Sequence, residues 1–179
     1  MIRNLAAATA LVLLTAGCAT SDGPSATDAA ATPPGGASAT LRTADGTEVG
    51  RVVATETGQG IRIALDVSGL APGVRGAHVH TIGRCDAPDF ASAGAHWNPT
   101  SRQHGTQNPA GPHGGDLPNL TVAADGRGTL TGTLPSGTMA GLLDADGAAF
   151  VVHAGPDDMK TDPSGNSGGR VACGVFQAG

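Results

Sequence analysis

The sequence predicts an all-β domain, an eight-stranded antiparallel Greek-key β-sandwich or barrel with two long functional loops. Three observations predict it. The 179 residues include 29 Gly and 12 Pro, a density of turn formers that suits many short elements and few helices. Short segments alternate apolar and polar residues with a period of two, as strands with one buried face do. Turn signals separate these segments at short intervals, and no stretch keeps a helical period.

The elements follow in order. "ATLRT" and "EVGRVVAT" flank "ADGT", a hairpin signal. "GIRIALDVSGL" places Ile61, Ile63, Leu65 and Val67 on one face and Arg62 and Asp66 on the other. "GAHVHTIG" is a further short strand. "NLTVAADGRGTLTGTL" holds two strands around an Asp-Gly turn, and "AAFVVHAG" and "RVACGVFQ" supply two more. Two connections break the rhythm, Gly83 to about Asp116 and Gly155 to Gly169. Structureless loops of this length inside a compact domain are functional or argue against the assignment. Aromatic residues are only 2% of the chain, so the core relies on Val, Leu, Ile and Ala and calls for covalent or metal staples.

The chain divides into residues 1–17, 18–38 and 39–179. The first segment reads as an export signal: Arg3 precedes the short apolar run "LAAATALVLLTA", below the length of about 20 residues that spans a bilayer. The run closes with "LLTAGC", similar to a bacterial lipobox, which implies cleavage before Cys18 and a lipid on its thiol. An ordinary secretory signal with an incidental Cys18 is the other reading, and both take the protein out of the cytoplasm. Residues 18–38, small, polar and rich in Pro and Gly, form a flexible tether with nothing to bury. The expected location is the periplasm or the outer face of the cell envelope, membrane-anchored through Cys18. The net charge is −5, and without Arg3 the exported chain is more acidic still. No basic run exists, so nucleic acid is excluded as a partner. With Cys18 lipidated, Cys85 and Cys173 remain as an even pair, bridged or free. An oxidising compartment favours a bridge, which contributes at most about 4–5 kcal/mol in the chain-entropy model.

The six histidines carry the chemistry. In "HVH", His78 and His80 point to one face of a strand, about 7 Å apart, close enough to chelate one metal. Taken alone the pattern is weak, and two exposed strand histidines are its commoner explanation. The segment "AHWNPTSRQHGTQNPAGPHGGD" decides more. It holds His96, His104, His113 and Asp116, and only Arg102 adds another charge. Three nitrogens and a carboxylate make a complete tetrahedral set for Zn²⁺. A loop that can hardly fold by itself is then organised by its metal, whose binding counts as folding energy.

"GAHVHTIGRC", "SAGAHWNPTSRQHG", "HGGD", "VVHAGPDD" and "GNSGGRVACGV" together resemble a bacterial copper,zinc superoxide dismutase over about residues 39–179. The resemblance implies one copper per subunit on His78, His80, His96 and His153. It implies one zinc per subunit on His96, His104, His113 and Asp116, with His96 as an imidazolate bridging the two metals. Asp157 matches the aspartate that accepts hydrogen bonds from His78 and His104, and Cys85 and Cys173 match the family disulfide. Trp97 stands where Phe or Tyr is usual, and "LLDADGAAF" is an unusual approach to the strand of His153. The implied activity converts two superoxide anions to O2 and H2O2 by Cu(II)/Cu(I) cycling, with zinc structural. Its catalytic residues are His96 and Arg170, the latter attracting an anionic substrate that the net charge repels. Lys160 is a weaker candidate for the same field. The alternative is a copper- and zinc-binding lipoprotein without turnover, which has no need of Arg170. The resemblance is compatible with a monomer or a homodimer.

Overall fold

A computed structural model describes Met1 and residues 35–179 of the chain. The expected signal segment, Cys18 and the tether up to residue 34 lie outside the described residues. The described residues form ten strands: β1 (Ala37–Arg42), β2 (Glu48–Thr57), β3 (Gly60–Val67), β4 (Gly73–Arg75), β5 (Ala77–His80), β6 (Leu120–Val122), β7 (Gly128–Leu134), β8 (Ala149–His153), β9 (Arg170–Val175) and β10 (Gln177–Ala178). The first described strand begins two residues before Ala39, where Ala37 and Ser38 pair with Ala54 and Val53 of β2.

One eight-stranded antiparallel sheet runs in the order β5-β8-β9-β1-β2-β3-β7, with β10 added beside β1. β4 and β6 form a separate pair. β7 returns beside β3, and β8 beside β5, so connections cross between halves in Greek-key fashion. Only Gly76 separates β4 from β5, which starts the long sheet's order.

β3 shows the expected alternation: Ile61, Ile63, Leu65 and Val67 are buried, and Arg62 and Asp66 exposed. β2 carries Val49, Val52 and Ala54 to the same core, and β8 brings Phe150 and Val152. β6 and β7 surround the Asp125-Gly126 turn, closed by Ala123 N–H on the Arg127 carbonyl and Gly126 N–H on the Ala123 carbonyl. In the sheets, however, β6 pairs with β4 and β7 with β3.

The chain is not wholly without helix. A single turn, α1 (Met139–Leu142), runs into the "LLDADG" segment, capped by Thr138 Oγ1, which accepts from Gly141 N–H at 3.1 Å. A 3-10 turn occupies Ala91–Ala93. Both are too short for a 3.6-residue apolar period to register in the sequence.

β5 and β8 are buried on both faces. Ala77 and Val79 of β5, with Phe150 and Val152 of β8, enter the main core. The opposite faces carry His78, His80, Ala149, Val151 and His153. Ala149 and Val151 join Phe90, Ala93 and Cys173 in a second apolar cluster beneath the first long loop. A disulfide between Cys85 in that loop and Cys173 in β9 ties the two together across 88 positions of sequence.

Candidate metal centre

The strand β5 displays His78 and His80 toward the first long loop, their ring centroids 6.5 Å apart. The loop is not loose there. Its residues line the edge of β5 that β8 leaves free. Val79 N–H donates to the Gly115 carbonyl (3.0 Å), Trp97 N–H to the Val79 carbonyl (2.8 Å) and Thr81 N–H to the Ala95 carbonyl (2.9 Å). These bonds bring His96 opposite His80 and Asp116 opposite His78. Gly115 is obligatory, since a Cβ at that position would overlap the Val79 carbonyl. His153 arrives at the end of β8 and packs 4.8 Å from His78 and 5.6 Å from His80.

Two candidate ligand sets result, sharing His96. In each of them, one ligand atom per residue lies within 4.8 Å of the others: His78, His80, His96 and His153 in one, His96, His104, His113 and Asp116 in the other. In the second set the Asp116 carboxylate is the centre. Its Oδ1 is 3.0 Å from His96 Nδ1, 3.1 Å from His104 Nδ1 and 3.4 Å from His113 Nδ1. Its Oδ2 accepts from the N–H groups of Gly105 (2.8 Å) and His113 (3.0 Å). In the first set, His78 Nδ1, His80 Nε2, His96 Nε2 and His153 Nε2 are all buried without a hydrogen-bond partner. Buried polar atoms are rarely left so, and four together fit a site for a bound ion.

The opposite nitrogens are anchored. Asp157 Oδ2 is 2.7 Å from His78 Nε2, and its Oδ1 is 3.0 Å from His104 Nε2, so one carboxylate links the two sets. His80 Nδ1 meets the Gly94 carbonyl at 2.9 Å, and His153 Nδ1 the Gly168 carbonyl at 3.1 Å. Asp157 is itself held by Asn119, whose Oδ1 accepts its N–H (2.8 Å) and whose Nδ2 donates to its carbonyl (2.9 Å). Such partners fix the tautomer and the ring plane of a metal-binding histidine.

The electrostatics agree with this arrangement. Burial pushes the His80 imidazole down to about 2, with His96 adding to the effect. Burial, then His78, lowers His153 to about 3. Burial also takes His96 down to about 4 against the pull of Asp116. Near neutral pH these rings are uncharged, with lone pairs free for a metal. Burial would depress His104 too, but Asp116 and Asp157 hold it up at about 9. Burial alone would raise Asp116 and Asp157, yet hydrogen bonds, His104 first, hold both carboxyls far below their usual range.

Arg170, half-buried at the start of β9, donates from Nη1 to the Phe90 carbonyl and from Nη2 to the Gly94 carbonyl, both at 2.6 Å. Gly94 is the residue whose carbonyl also orients His80, so the guanidinium sits beside the first set. A surface cavity of about 310 Å³ lies elsewhere, beside the disulfide, and none of the six histidines lines it.

The family model for copper/zinc superoxide dismutase matches residues 48–176. The chain belongs to the copper/zinc superoxide dismutase family. The Cu-Zn superoxide dismutase of Caulobacter vibrioides is 45% identical over 148 residues, 79% of this chain and 85% of that protein. One of the two from Aquifex aeolicus is 43% identical over 140 residues, 74% and 82% of the two chains. Among solved structures, a superoxide dismutase-like protein from Bacillus subtilis superposes with a TM-score of 0.72 at 41% identity, covering 77% of this chain and 96% of that one. The Brucella abortus Cu/Zn enzyme gives 0.67 at 30% identity, covering 79% and 99%.

The structure brings together His78, His80, His96, His104, His113, His153, Asp116 and Asp157, with Arg170 beside them, and it bonds Cys85 to Cys173. Lys160 is exposed in the second long loop, where its carbonyl accepts from Asn108 Nδ2. Sequence reasoning missed Asn119, the carbonyls of Gly94 and Gly168, and Arg75. The carbonyls leave no trace in residue type. Arg75 has one: a lone charge two positions before the buried run of β5.

Proposed function

We propose that this protein is a superoxide dismutase, with copper on His78, His80, His96 and His153 and zinc on His96, His104, His113 and Asp116. The observation that carries the reading is the convergence of four buried, unpartnered imidazole nitrogens next to a set of three imidazoles and a carboxylate. Four nitrogens suit copper, and three with a carboxylate suit zinc. When bound, copper supplies the one-electron couple that oxidises one superoxide to O2 and reduces the next, and zinc supplies a fixed charge that needs no redox change.

The chain supplies the rest. His96 turns Nδ1 to Asp116 and Nε2 to the other set, so it can take up a proton at Nε2 without leaving its place. The second superoxide needs one electron and two protons to leave as H2O2; His96 delivers one proton and solvent the other. Arg170 offers a fixed guanidinium, locked by two carbonyls, to an anion approaching an acidic protein. All ligands come from one chain, so this chemistry needs no second copy.

The test is superoxide dismutation by the fragment starting at Ala19, loaded with both metals or with zinc alone. Fast turnover only in the copper-loaded sample supports the reading. Both metals bound without turnover overturns it in favour of a metal-binding protein.

The sequence supports export with cleavage before Cys18, lipid on that residue and residues 18–38 as a tether to a membrane, in the periplasm or on the outer face of the envelope. Cys18→Ala is expected to move the protein from the membrane fraction to the soluble one. Continued membrane association of the variant refutes the anchor.

A further inference from the structure

Arg75, at the end of β4, is 8% exposed, and its hydrogen bonds all go to backbone carbonyls rather than to a carboxylate. Nε and Nη2 donate to the Ala71 carbonyl at 3.1 and 2.7 Å. Nη1 donates to the carbonyls of His153 and Ala154 at 3.3 and 3.0 Å. Burying a guanidinium is costly, and an arginine is almost never buried unless its charge is matched. Here the match is the negative end of three peptide dipoles, one of them on a candidate copper ligand and one on the residue after it.

The local backbone explains why such a clamp is needed. The register of β8 against β9 shifts between Val152 and His153, so the ladder is irregular at the candidate ligand, which still pairs with Arg170. Past that point the chain enters the second long loop. His153 keeps its N–H on the Gly76 carbonyl at 2.9 Å, and Ala154 its N–H on the Gly169 carbonyl at 2.7 Å. Their carbonyls turn to Arg75. The planar fork of the guanidinium spans this point and the β3–β4 connection at Ala71, which a single-point ammonium cannot do equally well. The ring of His153 is fixed at one end by Gly168, and its backbone by Arg75.

We propose that Arg75 is a positioning residue for copper: it holds the carbonyl side of His153 and Ala154 at the irregularity where the β8–β9 register shifts. The proposal rests on the assignment of His153 to the copper set. It is specific to that set, because His104, His113 and Asp116 sit on the first long loop and Arg75 makes no hydrogen bond to them.

The test uses the full-length chain, zinc-loaded and titrated with Cu(II), as wild type and as Arg75→Met, Arg75→Lys and His153→Ala. Copper and zinc affinities are measured by chelator competition, and the copper environment by Cu(II) electron paramagnetic resonance. Arg75→Met is expected to weaken copper by about tenfold, as loss of an outer partner of a ligand does, and to change the copper hyperfine splitting. Zinc affinity should stay within about twofold of wild type. Arg75→Lys should fall between, and it keeps the test open should the methionine variant fail to fold. Equal loss of both metals would show a general scaffold role and overturn the proposal. Arg75 variants with the wild-type copper spectrum and affinity, while His153→Ala changes both, overturn it alone. If His153→Ala also leaves the spectrum unchanged, the copper assignment falls with it.

Discussion

At the scale of single residues, Asp157 concentrates the most consequence. Its two oxygens address His78 and His104, one from each ligand set, and its Oδ1 also accepts the Met159 N–H at 2.6 Å. An amide has only one acceptor oxygen, so Asp157→Asn can serve one imidazole N–H and must face the other with a donor. The unserved histidine loses its preferred tautomer and ring orientation. We expect Asp157→Asn to lower the affinity for the metal of the unserved histidine by about 10- to 100-fold in chelator competition, and Asp157→Ala, which serves neither, to lower both. Unchanged affinity for either metal in Asp157→Ala would show that the carboxylate does not couple the two sets. Asp157 stood out in the sequence by resemblance, but its action on two histidines, 79 and 53 positions away, shows only in the fold.

At the scale of elements, the strands were readable and the loops were not. The alternation of β3 follows from a two-residue period, a local property that survives any tertiary context burying one face. The same rule places His78 and His80 on one face of β5, but it cannot say that this face is covered. The cover comes from Ala95–Trp97 and Gly115, whose backbone groups carry no pattern. The second long loop is packed as closely. Gly165 has a φ of +62°, and a Cβ there would overlap Asp157 Oδ1 and come within 2.7 Å of His104 Nε2. Gly165→Ala is therefore expected to lose zinc and to melt well below wild type. Gly46→Ala is the control. With a φ of +85° and open space around it, it pays only the backbone term of about 1 kcal/mol and keeps both metals. Equal metal content in the two variants would show that the loop yields around Asp157.

At the scale of the whole molecule, charge and topology meet at Arg170. The chain carries a net charge of −5 and its substrate is an anion, so the global field opposes encounter, and the proposed role of Arg170 is to offset it locally. The dismutation rate of the wild type should fall as ionic strength rises, because salt screens the local attraction. Arg170→Glu should be slower by roughly tenfold or more at low salt, and its rate should rise with ionic strength as repulsion is screened. Pulse radiolysis across a salt series measures both slopes; parallel slopes would remove Arg170 from steering. By itself the sequence determined the all-β class, the strand alternation and the residue types of both ligand sets, because period and side-chain chemistry are local. Only the tertiary structure decided which nitrogen of each histidine faces which set, which carbonyls anchor the other nitrogens, and that Arg75 clamps the end of β8. Those outcomes depend on contacts between residues up to about eighty positions apart, many of them made by backbone groups that every residue shares.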